Sequence, residues 1–119
     1  MEKIKIIIAD DNEDVSKVMK ANLEKYEEID ILGTCVSDKE EIMMIDSLYP
    51  EIVITDLCRN NKLTGLEVIR KYKNREKSPK FLVVTACDNK VIDTEIMDGY
   101  INKPIKDYSL IVDQLKLIK

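Results

Sequence analysis

Short apolar runs alternate with stretches of helical periodicity, and this alternation limits the fold more than any other feature of the 119-residue chain. Ile4 to Ala9 is a β-branched run stopped by Asp10. Ile29 to Val36 is a second, less uniform run. Ile52 to Thr55 is a third, stopped by Asp56, Phe81 to Thr85 a fourth, and Gly99 to Asn102 a short fifth. Runs that are apolar on both faces suit buried parallel strands better than strands wetted on one side.

Helical signatures fill the intervals. Val15, Val18, Met19, Leu23 and Tyr26 fall on one face of a helix predicted from about Asp14 to Glu28. Asp38 and Glu41 have a capping-box-like spacing ahead of Ile42, Ile45 and Tyr49. Thr64 and Glu67 repeat it before Val68, Ile69 and Tyr72. A last helix, from about Asp107 to Ile118, is predicted to turn Leu110, Ile111, Leu115 and Ile118 inward. The segment from Asp88 to Asp98 is rich in β-branched and Asp/Asn residues, which form helices poorly, so a helix there would be short or irregular. The pattern predicts one α/β domain over residues 1–119, a parallel sheet sandwiched between helices with right-handed crossovers. Sites in such sheets lie beyond the carboxyl ends of the strands.

Composition narrows the chemistry. The chain has no histidine, which excludes a Ser-His-Asp triad, a Cys-His dyad and a histidine zinc site. Nineteen basic against 23 acidic residues leave a net charge of −4, which argues against a broad nucleic-acid surface. With no tryptophan and one phenylalanine, base-stacking platforms are not expected. Cys35, Cys58 and Cys87 are odd in number and form no CxxC pair, so reduced thiols in a cytoplasmic protein are expected. No run approaches the roughly 20 apolar residues of a membrane span.

The polar groups at the strand ends are nearly all of one kind. Asp10 and Asp11 end strand one, Asp56 ends strand three, Thr85 ends strand four, and Lys103 follows strand five. Three clustered carboxylates repel one another and suit a hard divalent cation such as Mg²⁺. A lysine and a threonine beside them would complete a cradle for phosphoryl oxygens. Each residue also has an ordinary reading: Asp10 or Asp11 as a helix cap, Asp56 as a turn residue, Thr85 bonded to local backbone, Lys103 as a solvated surface group. Their joint placement at one edge favours the functional reading.

On these residues the chain resembles the receiver domain of two-component response regulators, the CheY-like family. The anchors are IIIADDNE at 7–14, PEIVITDL at 50–57, TGLEVIR at 64–70, FLVVTA at 81–86 and GYINKP at 99–104. The resemblance spans essentially the whole chain. It implies a flavodoxin-like three-layer αβα sandwich with strand order 2-1-3-4-5, and here a shortened or irregular fourth helix. It implies that Asp56 is phosphorylated by a sensor histidine kinase or phosphotransfer protein. Asp10, Asp11, Asp56 and the backbone carbonyl of Cys58 would hold Mg²⁺ or Mn²⁺. Lys103, Thr85 and Tyr100 would act as catalytic and switch residues, and the Lys103–Pro104 peptide would be cis. Such a module catalyses only its own phosphorylation and dephosphorylation and is not otherwise an enzyme. A homodimer is compatible with the family, as is a fused DNA-binding output domain outside this chain. The chain would be either a stand-alone receiver or the N-terminal receiver of a transcriptional regulator.

The sequence departs from the family in two places. The loop after Asp56 reads DLCRNNKLTG, with Arg59 and Asn60 where Met-Pro is usual and Gly65 one residue late, so a more basic and more mobile loop is expected. The 18 positions from Thr85 to Lys103 are fewer than usual, and the shortfall falls in the weakly helical segment. Cys58 and Cys87 each lie two positions after a key residue, as small fillers or as redox-active groups. Two other classes share parts of this pattern. A haloacid-dehalogenase-type phosphohydrolase needs Asp-x-Asp-x-Thr after strand one, where this chain has Asp10-Asp11-Asn12-Glu13-Asp14. A flavodoxin-like electron carrier needs a Ser/Thr/Gly-rich phosphate loop there. An atypical receiver acting as a non-phosphorylated interaction module is the nearer alternative.

Overall fold

A computed structural model describes residues 2–59, 64–73, 75–86 and 96–119. The elements are β1 (Ile4–Ala9), α1 (Glu13–Leu23), β2 (Ile29–Cys35), α2 (Asp38–Leu48), β3 (Ile52–Thr55), α3 (Thr64–Lys73), β4 (Lys80–Thr85), β5 (Gly99–Asn102) and α4 (Ser109–Ile118). The strands form one parallel sheet in the order β2-β1-β3-β4-β5, the expected topology. The expected irregular helix between Asp88 and Met97 falls almost wholly outside the described residues.

The sheet divides the core, and strand periodicity decides which residue goes to which side. Ile6, Ile8, Ile52, Ile54, Leu82 and Val84 face α1 and α4, where they meet Met19, Leu23, Ile111 and Leu115. Ile7, Val53, Phe81 and Val83 face α2 and α3, where they meet Ile45, Ile69 and Tyr72. The continuous apolar runs are therefore apolar because both faces of β1, β3 and β4 are covered.

Helix boundaries shift from the sequence expectation for local reasons. The cap of α1 is Asn12, whose side chain accepts from the amides of Asp14 and Val15, so neither Asp10 nor Asp11 is spent on capping. Helix α1 ends at Leu23 rather than near Glu28, and Tyr26 packs on the core from outside it. The cap of α2 is Ser37, whose hydroxyl accepts from the Glu40 amide, while the Glu40 carboxylate accepts from the Val36 amide. The capping box is thus Ser37–Glu40, one residue earlier than predicted, which leaves Asp38 and Glu41 for another role. Tyr49 closes α2 at φ 51° and is 76% exposed, turned off the apolar face ahead of Pro50. Val18 (51% exposed) and Leu110 also lie outside the core. In α4 the inner face is carried by Ile111, Val112 and Leu115. Val18 instead joins Val15, Ala86, Pro104, Ile105 and Tyr108 around an open groove of about 450 Å³ beside Lys103.

Among the described residues, no helix is long and apolar enough to cross a membrane.

Candidate functional site

Backbone pairing carries the strands one residue past their ends and sets the site. The Asp10 amide donates to Cys35 O (3.1 Å), the Asp56 amide to Ala9 O (3.0 Å) and the Lys103 amide to Thr85 O (3.0 Å). Asp10, Asp56 and Lys103 therefore leave β1, β3 and β5 at a common edge of the sheet, with Thr85 at the end of β4 between the last two. The ligand oxygens of Asp10, Asp11 and Asp56 lie within 4.8 Å of one another, with Asp10 and Asp56 buried and Asp11 exposed. A cluster of carboxylate oxygens open on one side fits a hard divalent cation, which takes oxygen ligands and keeps several waters.

The Asp56 side chain is held at both oxygens. Its Oδ1 accepts from the Thr85 hydroxyl at 2.6 Å and from the Cys58 amide at 3.1 Å. Its Oδ2 accepts from Lys103 Nζ at 2.8 Å, and the same ammonium reaches Asp10 Oδ2 at 2.5 Å. Burial works to lower the Lys103 pKa, but the bonds and charges of Asp10 and Asp56 outweigh it and hold the ammonium above its ordinary value. Asp10 is fixed in turn, its Oδ1 accepting from the Asn12 amide at 2.9 Å in an Asx turn. The Lys103–Pro104 peptide is cis.

Tyr100 stands three residues before Lys103 in β5, its hydroxyl donating to Asn102 Oδ1 at 2.5 Å, and it is partly packed on the α2/α3 side of the core. Cys58 is half-buried and disulfide-bonded, which corrects the expectation of reduced thiols throughout. The spacing of cysteines gave no sign of this, because a disulfide needs proximity in space and not along the chain. Cys35 is a free, buried thiol, and desolvation pushes its pKa up to about 12. Cys87 lies outside the described residues.

Sequence reasoning missed a second cluster beneath the first. Arg59, expected to make the loop more mobile, is 4% exposed and tightly held. Its Nε donates to the Asp56 carbonyl at 3.1 Å and its Nη2 to the Thr55 hydroxyl at 2.6 Å. Its Nη1 bonds Asp38 of α2 and lies 2.7 Å from Glu41 Oε1. Glu41 is fully buried, and neither of its oxygens has a hydrogen bond of good geometry among the described residues, so this pairing is one of charge more than of direction. Burial pushes the Glu41 carboxyl above the ordinary range while Arg59 pulls it down. Arg59 stays above its ordinary value despite burial, because it faces two carboxylates and Glu41 faces one cation. A signal was available: Glu41 stands one turn before Ile45, on the stripe that α2 turns to the core.

Gly65 completes the loop. A Cβ there would lie 2.3 Å from the Asp56 carbonyl oxygen and 2.8 Å from Leu57 Cα, and the Gly65 amide donates to Leu57 O at 3.1 Å. The glycine that comes one residue late in sequence is still required where the chain closes on Asp56.

Comparison with known proteins points the same way. The family model described as response regulator receiver domain matches residues 6–114. "Transcriptional regulatory protein YdfI" of Bacillus subtilis is 27% identical over 105 residues, which is 88% of this chain and 49% of that protein. The chain thus spans about half the length of this curated relative. A receiver domain from Bermanella marisrubri superposes with a TM-score of 0.85 at 24% identity over 98% of both chains. The Salmonella typhimurium RcsB response regulator superposes at 0.79 with 22% identity, covering 98% of this chain and 61% of that one. The structural likenesses speak for the fold.

Proposed function

The chain belongs to the response regulator receiver domains of two-component systems, and from that premise we propose that Asp56 accepts a phosphoryl group from the phosphohistidine of a sensor kinase or phosphotransfer protein. The observation that carries this reading is the convergence on one carboxylate of Lys103 Nζ at 2.8 Å and the Thr85 hydroxyl at 2.6 Å, from two other strands. A carboxylate nucleophile needs charge neutralisation and alignment more than deprotonation. An Asp56 oxygen attacks phosphorus, the new P–O bond forms as the P–N bond of the donor breaks, and the electron pair leaves on the donor imidazole. With no histidine in these 119 residues, the phosphohistidine lies outside them.

Asp10, Asp11 and Asp56 would hold Mg²⁺, with the Cys58 carbonyl as a further ligand. That ion supplies positive charge against the phosphoryl oxygens. Lys103 adds its ammonium on the other side, and Thr85 has a hydroxyl ready to donate to a phosphoryl oxygen. The aspartyl phosphate adds charge and acceptors at the sheet edge, and Thr85 and Tyr100 shift in response. This supports a self-modifying signalling module and not a metabolic enzyme. The relative named as a transcriptional regulatory protein supports transcription as the output.

Purified protein treated with Mg²⁺ and phosphoramidate, then read by intact mass, should gain one phosphoryl group. The Asp56→Asn variant should gain none. Equal gain by both would remove Asp56 from the role, and no gain by either would favour a non-phosphorylated interaction module.

A further inference from the structure

The Asp56 main chain is gripped as firmly as its side chain, by a cluster that the phosphoryl chemistry does not itself use. The Asp56 carbonyl accepts from Arg59 Nε at 3.1 Å and lies within 3.4 Å of the Thr55 hydroxyl, with Gly65 pressed against its far side. The Arg59 guanidinium can do this from inside the protein only because α2 supplies two carboxylates, Asp38 and the fully buried Glu41. Burying such a pair is costly, and replacing both of its members by apolar side chains of similar volume is often neutral or stabilising. A planar fork offers something an apolar side chain does not: donors fixed in direction towards two acceptors at once. Here those acceptors are Thr55 and Asp56, the last residue of β3 and the residue after it.

We infer that Arg59 is a positioning residue for Asp56, holding the peptide that carries the acceptor carboxylate, and that Asp38 and Glu41 serve as its buried counterions. The inference rests on the proposed role of Asp56 as phosphoryl acceptor. It adds a second route to the site, from α2 through Arg59 to the Asp56 carbonyl. A carboxylate displaced by a fraction of an ångström loses alignment with Lys103 and Thr85, and small misplacements of reacting groups cost about 10-fold to 100-fold in rate.

The test separates positioning from folding. The double variant Arg59→Met/Glu41→Met replaces the buried charges with apolar volume. Arg59→Lys keeps the charge balance but loses the fork. Both are compared with wild type in reductant, so that the Cys58 disulfide does not also hold the loop. Thermal midpoint and the rate of phosphoryl gain from phosphoramidate at saturating Mg²⁺ are measured on each. The expected result is a double variant with a midpoint at or above wild type and a rate at least about 10-fold lower, with Arg59→Lys slowed as well. Wild-type rates in both variants would overturn the inference and leave Asp56 as acceptor. If the double variant does not fold, the Arg59→Lys rate alone decides, a slowed rate supporting the inference and a wild-type rate overturning it. A wild type that gains no phosphoryl group would fail the underlying reading, and the inference would fall with it.

Discussion

Two clusters of charge meet at Asp56, and they solve opposite problems. The upper one, Asp10, Asp11, Asp56, Thr85 and Lys103, lies at the rim of the sheet and gathers three carboxylates that could hold a cation. The lower one, Thr55, Asp38, Glu41 and Arg59, lies inside the protein and carries its own cation. The upper cluster holds the Asp56 side chain and the lower one holds its carbonyl. An open cluster can change its charge when a ligand arrives. A closed cluster is fixed at folding and can only hold geometry.

That contrast can be broken at several points. The largest effect is expected for Lys103→Met. Loss of the ammonium leaves Asp10 and Asp56 facing each other uncompensated, so phosphoryl transfer should fall by about 100-fold. Mg²⁺ affinity should rise at the same time, because a competing cation is gone. Calorimetric titration with MgCl₂ beside the phosphoramidate assay checks both signs. A parallel loss of affinity and rate would mean that Lys103 builds the site and does not compete for it.

Next is Gly65→Ala. The added Cβ meets backbone atoms of Asp56 and Leu57, which cannot swing aside, so a loss of about 2 kcal/mol or more is expected in urea denaturation. A loss below about 0.5 kcal/mol, the scale of an ordinary surface substitution, would show that the loop gives way easily.

The lower cluster has a pH signature. Burial holds the Glu41 carboxyl above its unfolded value, so between the two values the native state keeps a proton that the unfolded chain has lost. The contribution of Glu41 to stability is therefore full below the ordinary carboxylate range and declines as pH rises through the folded value. Relative to wild type, Glu41→Gln should gain stability as pH is raised from about 4 to 7. Parallel stability profiles would indicate that Arg59 holds Glu41 ionised throughout.

The smallest effect concerns Cys35. With its thiol pushed up to about 12, it should resist iodoacetamide in the native protein at pH 8 and react on unfolding. Prompt native labelling would show that β2 opens locally.

The two clusters were unequally legible in the sequence. The upper one could be read because strand ends are marked by abrupt polar residues, and a parallel topology gathers those ends at one edge. The five parallel strands follow from the same alternation, and their order from the family resemblance. The lower cluster was hidden by two local misreadings. The spacing of Asp38 and Glu41 mimics a capping box, so both acids were assigned to a helix end that Ser37 and Glu40 in fact close. Arg59 in a loop looked like surface charge, because its counterions arrive from another element. Val18, Tyr49 and Leu110 were misplaced for a related reason. Helical periodicity ranks the faces of a helix, but neighbouring elements decide how wide the covered stripe becomes.

The upper cluster as a phosphoryl site and the lower one as its support both stand or fall with Asp56. Peptide mapping of phosphoramidate-treated wild type after borohydride trapping tests the first claim most directly. A single site of modification is expected, at Asp56, dependent on Mg²⁺ and lost in the Asp56→Asn variant. Modification at any other carboxylate, or at Asp56 without need of Mg²⁺, would contradict it.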